Sequence, residues 1–439
     1  MRPEGRTRGI GDAPRSTPIG RSRRLILAVP PVLITLAAFA GGATSTALAP
    51  VLTTTLALVL AASLALDRHV RLTGVAGPAI LFGALLVYGI WTLTPLTIGE
   101  APPIWALIDA TPSTTIDRSA TVRELVKLSG LACIFLIGVL HGQRRGEARF
   151  AADAVIATGV ALLTVCMLLH ALGFEQTGFG TRMVGPMGSP NVIGTAAGVY
   201  LVLALARLAQ RLEGRPIHGW RDIARQLQNG APFVAAILLC AAALVLSASR
   251  GAAAATLTMV AVWAGWRLVR GRSPARLALG IGLILVAVTA FVFLMTPRLD
   301  TLDLAVDVGS SERLSGFSIY WQTLYASPLF GYGLGTFDAV NRQILTSETY
   351  TALWQNGAAH NVFLQWLMEA GAVGSALMFA TIGWVLLRGW GRVRWAGPAL
   401  AAGVFLLHGL TDFTLQVFAM AALFAYLLGL HAAPRASRS

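Results

Sequence analysis

The chain has 439 residues, 55% of them apolar and only 12% charged, with a formal charge of +14 and a mean hydropathy of +0.68. A soluble domain carries about twice that share of charged residues, so the composition excludes an ordinary soluble enzyme. The basic residues are nearly all arginine, with Lys127 the single lysine, and they are scattered over short loops between apolar runs. That is the pattern of the positive-inside rule, not of a nucleic-acid surface.

In chain order, residues 1–24 come first. They hold Arg2, Arg6, Arg8, Arg15, Arg21, Arg23 and Arg24 among several prolines and glycines, and read as a disordered basic cytoplasmic arm. The apolar run that follows is too long for a signal peptide and lacks a cleavage site, so it reads as a retained first span. Twelve apolar runs fall near 25–44, 46–66, 74–95, 122–141, 150–172, 190–210, 231–248, 251–269, 277–296, 361–388, 395–411 and 413–431. Runs of about 20 residues suit membrane-crossing helices. They are continuous rather than alternating, which argues against a β-barrel. The expected fold is therefore an all-α polytopic membrane protein of about twelve transmembrane helices. Residues 25–431 make a single transmembrane domain and 432–439 a short cytoplasmic tail.

Loop charges give the orientation. Arg68 and Arg71 follow the second span, Arg144, Arg145 and Arg149 the fourth, and Arg207, Arg211, Arg215, Arg221 and Arg225 surround the loop after the sixth. Arg267, Arg270, Arg272 and Arg276 follow the eighth, and Arg388, Arg392 and Arg394 the tenth. The intervening loops are acidic or neutral. Both termini are expected in the cytoplasm. One large outer, periplasmic loop, about 297–360, then joins spans nine and ten. Within it Leu314, Phe317, Trp321 and Leu324 recur at helical spacing beside Tyr320, with Ser311-Glu312 as a start and Ser327-Pro328 as a stop. This helix lies either on the outer membrane surface or on the loop's own core. Gly331, Gly333 and Gly335 follow, in no βαβ context, and read as a flexible or tightly turning connection. Cys133, Cys166 and Cys240 each lie inside an apolar run and read as packing residues.

Few polar groups remain to be explained. Ser247-Ala248-Ser249-Arg250-Gly251 interrupts about forty apolar residues. An arginine centred in lipid costs about 2.5–3.5 kcal/mol on insertion scales, so Arg250 belongs at an outer turn or a polar cavity. A snorkelling loop arginine is the bland reading, but orientation rules supply no reason for an arginine on the outer side. Arg182 lies in a Gly- and Pro-rich turn before Asn191, also outside, and its bland reading is an ordinary loop arginine. His360 sits where the long polar loop enters the tenth span, an exposed loop histidine being the alternative. Asn361 can orient its ring by a hydrogen bond. Asp412 lies in the turn between the last two spans and can orient His360 or a substrate hydroxyl. Glu369 is expected in a structural helix–helix contact, and His170 and His408 in the core.

Two arginines and one imidazole on one face suggest a chemistry. Guanidinium binds phosphate bidentately and stays charged. A neutral imidazole can take a proton from a sugar hydroxyl. Together they suit displacement at a carbon that carries a diphosphate leaving group. No carboxylate set with metal-ligand spacing accompanies them, so neither a metal nor another cofactor is expected.

Several segments in order resemble the O-antigen ligase and O-antigen polymerase superfamily of bacterial envelope glycosyltransferases. They are Arg182 with Gly185 and Pro190-Asn191, the 247–251 segment, Glu312-Arg313 with Trp321, the run from Ser327 to Phe337, and Ala359-His360-Asn361 with Leu364, Glu369, Gly371 and Gly374. The resemblance covers about residues 175–430, and the first 170 match only as a set of spans. It implies an undecaprenyl-diphosphate-linked glycan as donor, held against Arg182 and Arg250 in the outer leaflet of the inner membrane. It implies His360 as activating base and inversion at the anomeric carbon. Asn361, Arg313 and Asp412 are expected to be substrate-binding residues. The acceptor is a sugar of lipid A–core in the ligase branch and another lipid-linked repeat unit in the polymerase branch; no residue chooses between them. Membrane lipids are the other implied partner.

A secondary transporter is the main rival, since twelve spans suit that class. No internal repeat is evident, mid-span charges are scarce, and one large outer loop is unusual for it. An accessory membrane subunit, for which Arg182, Arg250 and His360 are all dispensable, is the third reading.

Overall fold

The structure, a computed structural model, describes residues 19–66, 72, 74–98, 101–174, 180–212, 220–271, 316–354, 356–389 and 396–434. Among these residues there is no strand. The helices are α1 (Arg21–Phe39), α2 (Leu48–Leu66), α3 (Ala76–Trp91), α4 (Ile104–Leu107), α5 (Arg118–Gly142), α6 (Arg145–Ala171), α7 (Pro190–Leu212), α8 (Trp220–Asn229), α9 (Ala231–Ser247) and α10 (Arg250–Gly271). Then come α11 (316–324), α12 (Phe337–Gln343), α13 (Tyr350–Leu353), α14 (Val362–Gly389), α15 (Ala396–His408) and α16 (Phe418–Ala432).

Six of these, α1, α2, α5, α6, α7 and α14, are long and apolar enough to cross a membrane, and α3, α9, α15 and α16 are shorter apolar helices. Eleven of the twelve expected runs coincide with a helix. The ninth, 277–296, lies outside the described residues, as do residues 1–18 of the basic arm. Helix α1 begins at Arg21, inside the stretch expected to be an arm. The last two expected spans are shortened because residues 409–417 form a turn between α15 and α16.

The core is built on two buried helices. α16 is buried along nearly its whole length and packs against α5. Gly138 and Gly429 let the two backbones touch, because a Cβ on Gly429 would run into the Phe135 carbonyl. Small residues at such crossings are how membrane helices gain van der Waals contact where lipid supplies no hydrophobic drive. α7 packs against α9, α10 and α15. Outside this pair, α1 lies on α6, α2 on α5 and α3 on α14.

Ion pairs fasten the end of the bundle expected to face the cytoplasm. Arg207 on α7 donates to Asp153 on α6 through Nε at 2.6 Å and Nη2 at 2.9 Å. Arg23 on α1 reaches Glu147 on α6 at 2.7 Å, and Arg144 reaches the same carboxylate at 3.0 Å.

The tenth span is not the continuous helix its hydropathy suggests. α14 breaks at Gly371, whose φ of 58° and ψ of −168° are open in practice only to glycine. A break in lipid must have its backbone groups satisfied from elsewhere. The glycine loop does this. Tyr332 and Gly333 donate their N–H groups to the carbonyls of Met368 and Glu369 at 2.9 and 2.8 Å. Beyond the break, Ala372 and Val373 donate to the carbonyls of Pro328 and Leu329 at 2.9 and 3.1 Å. From α3, the Tyr88 hydroxyl lies 2.5 Å from the Phe330 carbonyl and 3.0 Å from that of Ala370. The expectation of a tight turn holds; that of flexibility does not, since both edges of the loop are tied to α14. Glu369 also contacts this loop, accepting from Gly335 N–H at 2.8 Å, and it interacts across the helix pair, as expected, with the charges of Glu124 and Lys127 on α5.

In the segment expected to be the outer loop, α11 begins at 316; the expected start at 311 and residues 297–315 lie outside the described residues. Tyr320 is buried edge-on against Phe337 at 5.2 Å, and its hydroxyl donates to Asn341 Oδ1 at 2.9 Å. Burial raises this phenol to about 12, against a lowering hydrogen bond from Asn356. This face packs on a small loop core with Val340, Leu353, Leu364 and Met368. Trp321 points the other way and is 50% exposed. One face of α11 thus meets the loop's own core, and the opposite face is open.

Candidate functional site

The turn at 409–417 is a hub. The N-terminal ends of α7, α10 and α14 come to it from three sides. From α7, Thr195 Oγ1 lies 2.6 Å from His408 Nδ1 and 3.0 Å from Thr414 Oγ1. From α10, Gly251 abuts the His408 ring, where any Cβ would lie 2.8 Å from Cδ2. From α14, Val362 N–H donates to the Gly409 carbonyl at 2.7 Å. Asp412 is fully buried in the turn. Its Oδ2 accepts from Thr414 N–H at 3.0 Å and from the Thr414 hydroxyl. Its Oδ1 is buried without a hydrogen-bond partner among the described residues.

Each expected site residue is placed by local sequence. Ser247 closes α9, Ala248 turns left-handed at φ 48°, and Ser249 accepts from Ala252 N–H at 3.4 Å to begin α10. Arg250 is thereby the first residue of α10. Its side chain is exposed. Arg182 is half-buried in the neighbouring turn. It donates to the Ser247 carbonyl at 3.1 Å and to Asn191 Oδ1 at 2.9 Å. Met183 N–H reaches the Leu246 carbonyl at 2.9 Å, which pins this turn to the end of α9. Both arginines therefore border the same 247–250 turn.

His360 is half-buried and has a φ of 51°. Left-handed backbone is uncommon outside glycine and worth explaining when it occurs. The ring meets Phe413 edge-on, with centroids 4.9 Å apart. His360 therefore touches the hub through the residue next to Asp412. Asn361 has another task than orienting that ring. Its Oδ1 accepts from the N–H groups of Phe363 and Leu364, each at 3.0 Å, and caps α14. Arg313 lies outside the described residues. His408 is in the core as expected.

The charges at the hub are mixed. The N-terminal parts of α7, α10 and α14 pack on it, the side on which a helix macrodipole is positive, Arg250 adds a full charge at its edge, and the Asp412 carboxylate lies buried within the turn. The exposed Arg250 edge is the part suited to an anion with several oxygens, such as a diphosphate. Among the described residues there is no cluster of His, Cys, Asp or Glu that can hold a metal ion.

Residues 235–380 match the family model for O-antigen ligase. That match bears out the resemblance read from the order of motifs. A search of curated proteins returns no match.

The matched residues take in Arg250, the glycine loop, His360 and the break in α14 at Gly371, and leave Arg182 and Asp412 outside. Those two reach the matched residues through space, Arg182 by its bond to Ser247 and the Asp412 turn by the bond from Val362 to Gly409. Sequence reading missed Thr195 and Gln365. Thr195 had no signal beyond its place one turn after Asn191. Gln365 had one: it is a buried amide four residues before Glu369 on the same helix face.

Proposed function

We propose that the protein transfers a glycan from undecaprenyl diphosphate to a sugar hydroxyl of lipid A–core, at the periplasmic face of the bacterial inner membrane, with both termini in the cytoplasm. Three contacts support this reading: Arg182 bonds to the Ser247 carbonyl beside Arg250, Gly251 abuts the His408 ring, and the His360 ring meets Phe413 of the same turn. A transporter would instead call for charged side chains around a mid-membrane cavity. The cavity of about 320 Å³ between α3, α5, α14 and α16 is lined almost entirely by apolar side chains, including Phe82, Leu128, Trp366, Phe379 and Phe424. Val362 and Leu415, beside the hub, also line it. That supports an isoprenoid chain lying in the cavity with its diphosphate at the hub.

In this reading the donor diphosphate sits against Arg250 and Arg182. His360, neutral, takes the proton of the acceptor hydroxyl. The oxygen attacks the anomeric carbon from the face opposite the diphosphate, and the carbon–oxygen bond to the leaving group breaks. Configuration inverts. Undecaprenyl diphosphate leaves with its new charge held by guanidinium groups and helix ends. No step requires a metal.

A deletion strain examined for envelope polysaccharide tests the reading. Loss of polymer-capped lipopolysaccharide, with lipid-linked polymer accumulating, is the expected result. Capping by a single repeat instead assigns the polymerase reaction, with a lipid-linked repeat unit as acceptor. Unchanged envelope polysaccharide contradicts both.

A further inference from the structure

His360 is held from both sides by hydrogen bonds to neighbouring backbone. Downstream, Val362 N–H is fixed to the Gly409 carbonyl at 2.7 Å. Upstream, Ala359 N–H donates to Gln365 Oε1 at 3.2 Å. The same amide donates through Nε2 to Glu369 Oε1 at 2.9 Å. Glu369 Oε2 accepts from Gly335 N–H at 2.8 Å. Both side chains are buried, at 5% and 7% exposure. A continuous line of hydrogen bonds thus runs from the glycine loop, through the break in α14, to the residue preceding His360.

We propose that Gln365 and Glu369 are positioning residues for His360, holding its left-handed backbone in place from the broken helix. The proposal rests on the reading of His360 as the activating base. The order of groups along the line admits few substitutes. Both ends are backbone N–H groups, which only donate. Between two fixed donors the side chains must present acceptor and acceptor at 369, then donor and acceptor at 365. A carboxylate at 369 and an amide at 365 do this, and the amide's orientation follows from the network. With an amide at 369 as well, one junction in the line must set donor against donor, whichever way either amide turns. With acids at both positions, acceptor faces acceptor in a buried site unless the pair takes up a proton, so the line closes only at that cost.

Exchanging the two residues restores the order. In the double variant Q365E/E369Q, the carboxylate at 365 accepts from Ala359 and from the amide at 369, whose oxygen accepts from Gly335. Every bond has a donor and an acceptor again, and side-chain volume is conserved. A merely structural role for a charge at 369 predicts no such rescue.

The test uses the full-length protein in detergent, with polyprenyl-diphosphate-linked glycan isolated from the deletion strain as donor and purified lipid A–core as acceptor. His360→Ala is run alongside, and membrane accumulation of each variant is measured. Gln365→Glu and Glu369→Gln are expected to lower kcat by about 10–100-fold, the scale of a catalytic group displaced by about an ångström. Their KM should change by less than about threefold, since no substrate contact is removed. The exchanged double variant should recover kcat to within about fivefold of the parent, a non-additivity expected only of residues in one network. Single variants as active as the parent, with His360→Ala inactive, overturn the proposal. So does an exchanged variant that accumulates normally and stays as impaired as the singles. Full activity in His360→Ala instead overturns the reading beneath it, and is distinguishable from either.

Discussion

At one end of α7, Arg207 is gripped by both oxygens of Asp153. At the other, Arg182 donates to two neutral oxygens, and the nearby Arg250 is exposed and makes no salt bridge among the described residues. The first arrangement is a clamp: a cation and an anion satisfy each other and hold α7 to α6. At the second end, Arg250 has positive charge to spare, and the N-terminus of its own helix α10 adds to it. An arginine whose charge is met within the protein has nothing left for a ligand. One left facing outward at a helix start is prepared for an anion. On the proposed function, the same residue type is structural at one end of the helix and serves the substrate at the other.

The largest difference between the ends should appear on removing Arg250. Arg250→Ala is expected to reduce glycan transfer by about 10²–10³-fold, the usual loss of one charge-stabilising donor, with unchanged membrane accumulation. Arg250→Lys should recover only part of this, because an ammonium lacks the planar fork. Quantified lipopolysaccharide capping in a complemented deletion strain measures both.

Gly371→Ala tests the device that brings the outer end together. The alanine backbone is strained by about 1–3 kcal/mol at that φ and ψ, and its Cβ would collide with the Leu329 carbonyl. A lowered thermal midpoint in detergent, together with reduced transfer, is the expected outcome.

Arg207→Ala should do the reverse of Arg250→Ala. Loss of the paired hydrogen bonds costs about 1.5–3 kcal/mol of stability, read as a lower midpoint. Protein that remains folded should transfer glycan at the parent rate per molecule. A catalytic defect without a stability loss would break the distinction between clamp and ligand site.

The smallest effect concerns Asp117, the N-cap of α5, whose carboxylate accepts from Ala120 N–H at 2.9 Å. Burial alone would raise its pKa, but hydrogen bonds from Ala120 and Ser119, with the charge of Arg123, leave it lowered. A lowered folded value stabilises the protein above the unfolded carboxylate pKa of about 3.9. That stability is lost as pH falls through the folded value. Asp117→Ala should cost about 1 kcal/mol at neutral pH. The deficit should shrink below about pH 4, measured by denaturation across that range.

Much of this molecule was legible in its sequence, for physical reasons. A helix that must satisfy its own backbone in lipid announces itself by apolar length, so eleven runs met helices. Arg182, Arg250 and His360 stood out because charge and imidazole are costly beside lipid. What the sequence hid were matters of long-range backbone pairing. The hydropathy of 361–388 runs smoothly through Gly371 and conceals the break. Gly331, Gly333 and Gly335 indicated turns, but not that Tyr332 and Gly333 would complete the hydrogen bonding of α14. Asn361 was read as a partner for His360 because they are adjacent, whereas its position before an apolar run marked it equally as a helix cap. The hub of Thr195, His408, Asp412 and Thr414 joins α7 to a turn more than 200 residues away, and spacing carries no trace of it.

The central claim is that an imidazole and two arginines work together on one lipid diphosphate. It is tested most directly by transfer kinetics of His360→Ala with purified, lipid-linked donor and lipid A–core. The account predicts a loss of about 10²–10⁴-fold in kcat, the usual contribution of a general base, with donor binding retained through Arg182 and Arg250. A variant that transfers glycan at the parent rate would contradict it.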